Sequence, residues 1–186
     1  MAGIRISVMG ASGSGTSTVG RALAAALSLP HFDSDDYFHG PGDPPFQNPR
    51  SATERYELIC RDLAVDHSWV LSGGLVDWSP RPRLDFTCIV FLYVPPSLRI
   101  ERLRRRERER FGRRILKGGD MYAAHQEFID WASRYDSGDI QGKTQAMHEA
   151  WLQEQTGPVL EFRGEPSVSD ITAQVLRFVP DSEQID

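Results

Sequence analysis

The first eighteen residues constrain the fold more than any other part of the chain. An apolar run, Ile4 to Met9 (IRISVM), leads into the glycine-rich stretch GASGSGTST, Gly10 to Thr18, and Val19, Leu23 and Leu27 then recur at helical spacing. A buried strand, a tight turn and an amphipathic helix in that order open a parallel α/β sheet. Gly10, Gly13 and Gly15 admit backbone conformations closed to other residues and let amide N–H groups approach an anion with no side chain in the way. With the positive end of the following helix, those amides form an anion nest that Ser12, Ser14 and Thr18 also line. The spacing G-x-x-x-x-G followed by hydroxyl residues is that of a phosphate-binding loop. Ser17 holds the position whose hydroxyl ligates Mg²⁺ at the terminal phosphates, but Thr16 stands where the pattern has lysine.

Apolar runs and helical patterns continue to alternate downstream. LPHFD reads as a second short strand before the Gly/Pro-rich loop HGPGDPPFQNP, and Ser51 to Asp66 reads as a helix. SWVLSGG is a third strand ending in glycines, and FTCIVFLYV a fourth, central one because it is apolar throughout. An arginine-dense helix follows; Phe111 to Gln155 is mainly helical around Gly118, Gly119 and Gly138, and GPVLEF supplies a fifth strand. The last helix begins at Ser167 with Asp170 as its capping-box partner and carries Val168, Ile171, Val175 and Phe178 on one face. The expected fold is a three-layer α/β/α sandwich with a five-stranded parallel sheet, one domain over residues 1–186. Ligands of such sheets bind at the carboxyl ends of the strands, and there lie Gly10 to Thr18, Asp33 to Asp36 and Ser72 to Gly74.

Composition narrows the partners. No apolar run is long enough to span a bilayer, and the start, MAGIRISVMG, lacks the basic-then-apolar build of a secretion signal, so a cytoplasmic protein is expected. A formal charge of −5 gives no general attraction to nucleic acid or an anionic membrane. Cys60 and Cys88 make neither a disulfide framework nor a metal spacing and are expected as buried thiols. The five histidines offer no metal pair and are expected at the surface or lightly packed; the four tryptophans are expected as packing anchors, with Trp78 and Trp131 placed to border an acceptor pocket.

GASGSGTST resembles the Walker A loop of the small P-loop kinases, the superfamily of nucleoside monophosphate, shikimate and gluconate kinases. The archaeal-type cytidylate kinases likewise carry threonine at the lysine position. FDSDDYF is similar to the strand-two motif of shikimate kinase, an aromatic followed by D-S-D. That resemblance implies that Asp33 orients the Mg²⁺ shell and that Asp35 holds the acceptor hydroxyl and takes its proton. On an extended segment alternate residues face the same way, which would bring Asp33 and Asp35 to one site. The competing reading is a solvated acidic turn with Asp36 as a helix cap. WVLSGGL resembles the glycine motif lining the acceptor pocket of shikimate kinase, implying Gly73 and Gly74 as substrate-binding, and also the WIIDGN-like strand of a group of bacterial kinase-like proteins, whose aspartate Ser72 replaces.

Residues 99–114, RIERLRRRERERFGRR, hold nine arginines and three glutamates, which leaves twelve basic against twenty-three acidic residues elsewhere. Most of these charges are expected on a solvated face laced with i,i+4 pairs. VPPSLRIERLRRR also resembles the adenylate kinase segment that runs from the fourth strand into the lid, implying that Arg102 stacks on the adenine and Arg106 touches the phosphates. The segment DWASR, ending at Arg134, is loosely similar to the second lid arginine motif, and RGEP, Arg163 to Pro166, falls where these kinases contact the adenine edge. The implied lid spans approximately residues 107–145. Together these resemblances imply phosphoryl transfer from ATP with Mg²⁺ to a hydroxyl of a small metabolite or nucleoside. Arg50, Arg55, Arg81 and Arg83 are candidates for an acceptor phosphate or carboxylate. A nucleoside monophosphate kinase and a non-catalytic nucleotide-binding regulator are the alternatives.

Overall fold

In a computed structural model, which describes residues 3–179, the first apolar run forms β1 (Arg5–Gly10) and runs through the glycine turn into α1 (Thr16–Leu27). β2 (His31–Asp33) passes directly into the short α2 (Ser34–Phe38), and α3 (Ala52–Leu63) precedes β3 (Trp69–Ser72). β4 (Cys88–Tyr93) feeds the arginine-rich α4 (Pro96–Phe111), followed by a single 3₁₀ turn (Gly112–Ile115), α5 (Tyr122–Ser133) and α6 (Gln145–Gln153). β5 (Val159–Arg163) and α7 (Val168–Leu176) complete the described chain.

The strands pair in parallel in the order β2-β3-β1-β4-β5, with Ser7 opposite Leu71 and Ile89, and Phe91 opposite Glu161. The chain lays down β2 and β3 on one side of β1, then β4 and β5 on the other. The glycine turn after β1 therefore opens at the point where strand order reverses, the place where such sheets bind ligands.

Strand periodicity sorts the core into two faces. Ile4, Ile6 and Val8, with Val70, Val90 and Leu92, meet Val19 and Leu23 of α1 and Ile171 and Val175 of α7. On the opposite face Trp69 and Leu71 meet Ile59 and Leu63 of α3, while Met9, Ile89 and Phe91 meet Trp151 and Leu152 of α6. Each large side chain so covered contributes about 1.5–3 kcal/mol. β4 is apolar throughout because both its faces are covered, although the middle of the sheet is β1. Cys88 is buried, and Cys60 is only partly so. Ser167 accepts from the Asp170 amide at 3.1 Å, as its spacing predicts. The buried face of that helix is narrower than expected. Ile171 and Val175 are buried, but Phe178 is exposed because it lies past the helix end, and Val168, in the first turn, is also exposed.

Candidate phosphoryl-transfer site

Gly15 caps α1 in the left-handed region, at φ 97°, and a Cβ on it would meet nothing within 4 Å, so the turn is open on that side. Gly13 closes the other side: a Cβ there would lie 2.6 Å from the Arg99 carbonyl oxygen, so the backbone of α4 presses directly on the turn. Ser14 is buried, and its Oγ has no hydrogen-bond partner among the described residues. An open nest of amides at a helix N-terminus, with a spare hydroxyl in its floor, fits a phosphate group.

Beside the nest stands a short polar chain. Ser17 Oγ donates to Asp33 Oδ2 at 2.5 Å, and Asp33 Oδ1 accepts from the Asp35 amide at 3.2 Å. Asp33 is thus the N-cap of α2, and the cap is not Asp36. Asp33 and Asp35 do not share an extended segment, as the alternation argument supposes. The helix starts at Ser34, and the cap ties the backbone amide of Asp35 to the Asp33 carboxylate. Burial, reinforced by Asp33 and Asp35, raises the Asp36 carboxyl above the ordinary carboxylate range. Among the described residues no group of three His, Cys, Asp or Glu side chains could hold a metal. Ser17 and Asp33 still suit Mg²⁺, which keeps several waters and binds through one or two protein oxygens plus substrate phosphates.

The glycines after β3 fit tightly. Gly73 has φ +82° and a Cβ on it would overlap the Ser34 hydroxyl, while one on Gly74 would sit 2.9 Å from His148 Nε2. Arg55 projects from α3 between aromatic rings, its guanidinium carbon 4.5 Å from the Phe38 centroid and 5.2 Å from that of Trp78. Arg55 Nε and Trp78 Nε1 are both buried donors without partners among the described residues. Arg50 is unsuited to an acceptor. Its Nη1 donates to the carbonyls of Asp36, Tyr37 and His39, which makes it a clamp on the end of α2.

The arginines of α4 separate into distinct environments. Arg102 donates to Glu165 Oε1 at 2.6 Å and lines a cavity of about 240 Å³ with Gly15, Thr18, Gly164 and Pro166. The turn after β5 and the glycine turn therefore share one cavity, beside the nest. Arg106 lies one turn further on, paired with Glu107 at 3.1 Å, and does not line that cavity. Arg134 pairs with Asp130 at 2.8 Å. At the far end of α4, Arg110 sits over the Phe46 ring, Phe46 meets Phe111 edge-on, and Arg114 bonds Asp43 at 2.7 Å, which joins the Gly/Pro loop to the helical segment.

Two buried polar residues have no counterpart in the sequence reading. Arg99 is 1% exposed; it donates to the carbonyls of Val94 and Ala132, pairs with Asp136 and lies over the Tyr135 ring. His148 is fully buried, contrary to the surface position expected of the histidines, because α6 packs it against Phe91, and its Nδ1 lies 2.8 Å from the Tyr135 hydroxyl. The spacing Arg99–Leu103–Glu107 marks the buried stripe of α4, and His148 precedes the core residues Trp151 and Leu152 by three and four positions.

Comparison with known proteins agrees with this geometry. A family model described as an AAA domain matches residues 6–121. Over 174 residues the chain is 37% identical to the uncharacterized protein YqaC of Bacillus subtilis, covering 94% of this chain and 96% of that one. Among solved structures, it is similar to deoxyadenosine kinase from M. mycoides with bound dATP (TM-score 0.56, 13% identity, 94% and 98% of the two chains). It is also similar to shikimate kinase from Acinetobacter baumannii in complex with shikimate (TM-score 0.51, 19% identity, 94% and 92%). A gluconokinase from Sinorhizobium meliloti matches at TM-score 0.50 and 19% identity, over 95% and 91%. The chain belongs to the AAA-domain family that its first two thirds match, and its sheet and glycine turn have the fold of the P-loop small-molecule kinases.

Proposed function

We propose that this protein is a cytoplasmic, ATP- and Mg²⁺-dependent kinase that transfers a phosphoryl group to a hydroxyl of a small metabolite or nucleoside. The observation that carries the reading is the Ser17–Asp33 pair beside an open anion nest, with the Asp35 amide tied to the Asp33 carboxylate. MgATP supplies the phosphoryl group and the cation that offsets its charge. Gly10 to Thr18 cradle the phosphates, with Ser17 and Asp33 holding the metal. Arg102 and the turn Gly164–Pro166 flank the base. As the acceptor oxygen bonds phosphorus and the bond to the ADP oxygen breaks, the acceptor proton passes to Asp35. Gly73, Gly74 and Arg55 border the acceptor, and Arg106 and Arg134 act from a lid over approximately residues 107–145, in one domain with the sheet.

The unpartnered donors at Arg55 and Trp78 favour an acceptor that carries an oxyanion or carbonyl as well as its hydroxyl. This keeps a nucleoside monophosphate as the second acceptor class. Thr16, which brings no charge to the loop, supports a different reading, a nucleotide-binding regulator without turnover. Acceptor-dependent ADP release, measured over polyols, hydroxy acids, nucleosides and nucleoside monophosphates, separates these. Release with one class establishes a kinase and names its acceptor; MgATP binding with no release from any class favours the regulator.

A further inference from the structure

The phosphate-binding turn is anchored from the sheet at the residue that replaces lysine. Ser72, at the end of β3 and fully buried, places its Oγ 3.1 Å from the Thr16 carbonyl oxygen and 2.8 Å from His31 Nε2. A hydroxyl has one proton to give. When Ser72 spends it on Thr16, it can only accept from His31, so the imidazole must carry its proton on Nε2. The other tautomer would draw the Ser72 proton to the ring and leave the Thr16 carbonyl without it.

The helix is built around this arrangement. Gly20 lies one turn into α1, where glycine is disfavoured. A Cβ there would overlap the Ser72 hydroxyl and approach His31 Nε2 to 2.8 Å. The planar trans peptide carries the consequence to the loop. Holding the Thr16 carbonyl toward β3 turns the Ser17 N–H the opposite way, toward the N-terminal end of α1, where the nest opens. Without a lysine in the loop, the direction of these amides matters correspondingly more to an anion in the nest.

We propose that His31 is a positioning residue of the phosphate-binding turn, acting through Ser72 on the Thr16–Ser17 peptide. This rests on reading the turn as a nucleotide-phosphate site.

The test combines ¹⁵N NMR of the His31 ring with calorimetric MgATP titrations at neutral pH. Wild type should show the Nε2–H tautomer. His31→Leu should bind MgATP about threefold to tenfold more weakly, the effect of one lost neutral hydrogen bond. His31→Gln, whose amide nitrogen reaches the place of Nε2 and donates, should restore affinity to within about twofold of wild type. Ser72→Ala, a change that removes only an oxygen, should match His31→Leu and serves if that variant does not fold. An Nδ1–H tautomer, or wild-type affinity in both His31→Leu and Ser72→Ala, overturns the positioning role while leaving the kinase reading intact. Wild type that binds no MgATP removes the reading of the site itself, and the positioning role with it.

Discussion

Arg102 of α4 and Glu165 of the turn after β5 meet across the cavity beside the glycine turn, Nη2 to Oε1 at 2.6 Å. The guanidinium is held at the cavity by a partner that has no part in the phosphate nest. If this cavity takes the base, Arg102→Ala should weaken MgATP binding about threefold to tenfold, in line with a cation–π contact at a partly exposed site. Glu165→Gln, which retains a hydrogen-bond acceptor, should cost less. Calorimetric titration of both variants checks this, and equal affinities for wild type and Arg102→Ala would place the base elsewhere.

Asp35 is the carboxylate whose own amide is tied to Asp33. Asn preserves its size but cannot take a proton. Asp35→Asn should lower kcat by roughly 10²-fold or more while changing the ATP Kd little. Turnover that survives would move the base to Asp36, whose carboxyl is already biased toward holding a proton.

Thr16→Lys tests whether the loop works without its cation. In an active kinase built around threonine, the lysine variant should show at most a modest change in acceptor-dependent ADP release, because charge is supplied by Mg²⁺ and neighbouring arginines. Activity found only in Thr16→Lys would identify a site that had lost turnover along with its lysine.

His148 makes stability depend on pH. Burial lowers its pKa from 6.5 to about 4, so an unfolded chain takes up a proton that the folded one refuses. The sign follows: stability is complete above the unfolded pKa and falls as pH drops through the window from 6.5 to about 4, by roughly 3 kcal/mol in all. His148→Asn keeps a polar partner for Tyr135 but does not titrate. Denaturant unfolding of both proteins across this window should show wild type losing more stability than the variant; parallel curves would refute the assignment.

Arg99 is the charge with most at stake in the fold. With Asp136→Ala, a guanidinium that is 1% exposed loses its counter-ion and keeps only carbonyl partners, at a cost of about 3 kcal/mol. Arg106→Ala, which breaks an exposed pair, should change stability by less than about 1 kcal/mol. Thermal unfolding distinguishes the two; similar melting temperatures would show that the Asp136 partner contributes no more than an exposed pair.

The sequence makes some of this architecture legible and hides the rest, for physical reasons. Cys88 to Tyr93 announces a strand because burial on both faces demands an unbroken apolar run, Ile4 to Met9 does so through the recurring Ile4, Ile6 and Val8 ahead of the glycine turn, and Ser167 announces a helix start because its cap is local. The pairing of Asp33 with Ser17 follows from two motifs read separately, although the cap that brings Asp35 alongside does not show in an alternation rule. Arg99 is masked by its neighbours: nine arginines in sixteen residues look alike until packing singles out one. His148 and the Ser72–His31 pair depend on contacts between elements far apart in sequence, which spacing alone does not reveal.

The pressure of Arg99 on Gly13 also governs how the molecule can move. The first turn of α4 is, in effect, part of the phosphate turn's wall, since the Arg99 carbonyl lies where a Gly13 side chain would begin. A cover that swung about Pro96 would drag this wall away from the very groups it is meant to enclose. On this arrangement the root of α4 is stator rather than rotor, since Arg99 fastens it to Ala132 of α5 and to Asp136 while its carbonyl walls the phosphate turn.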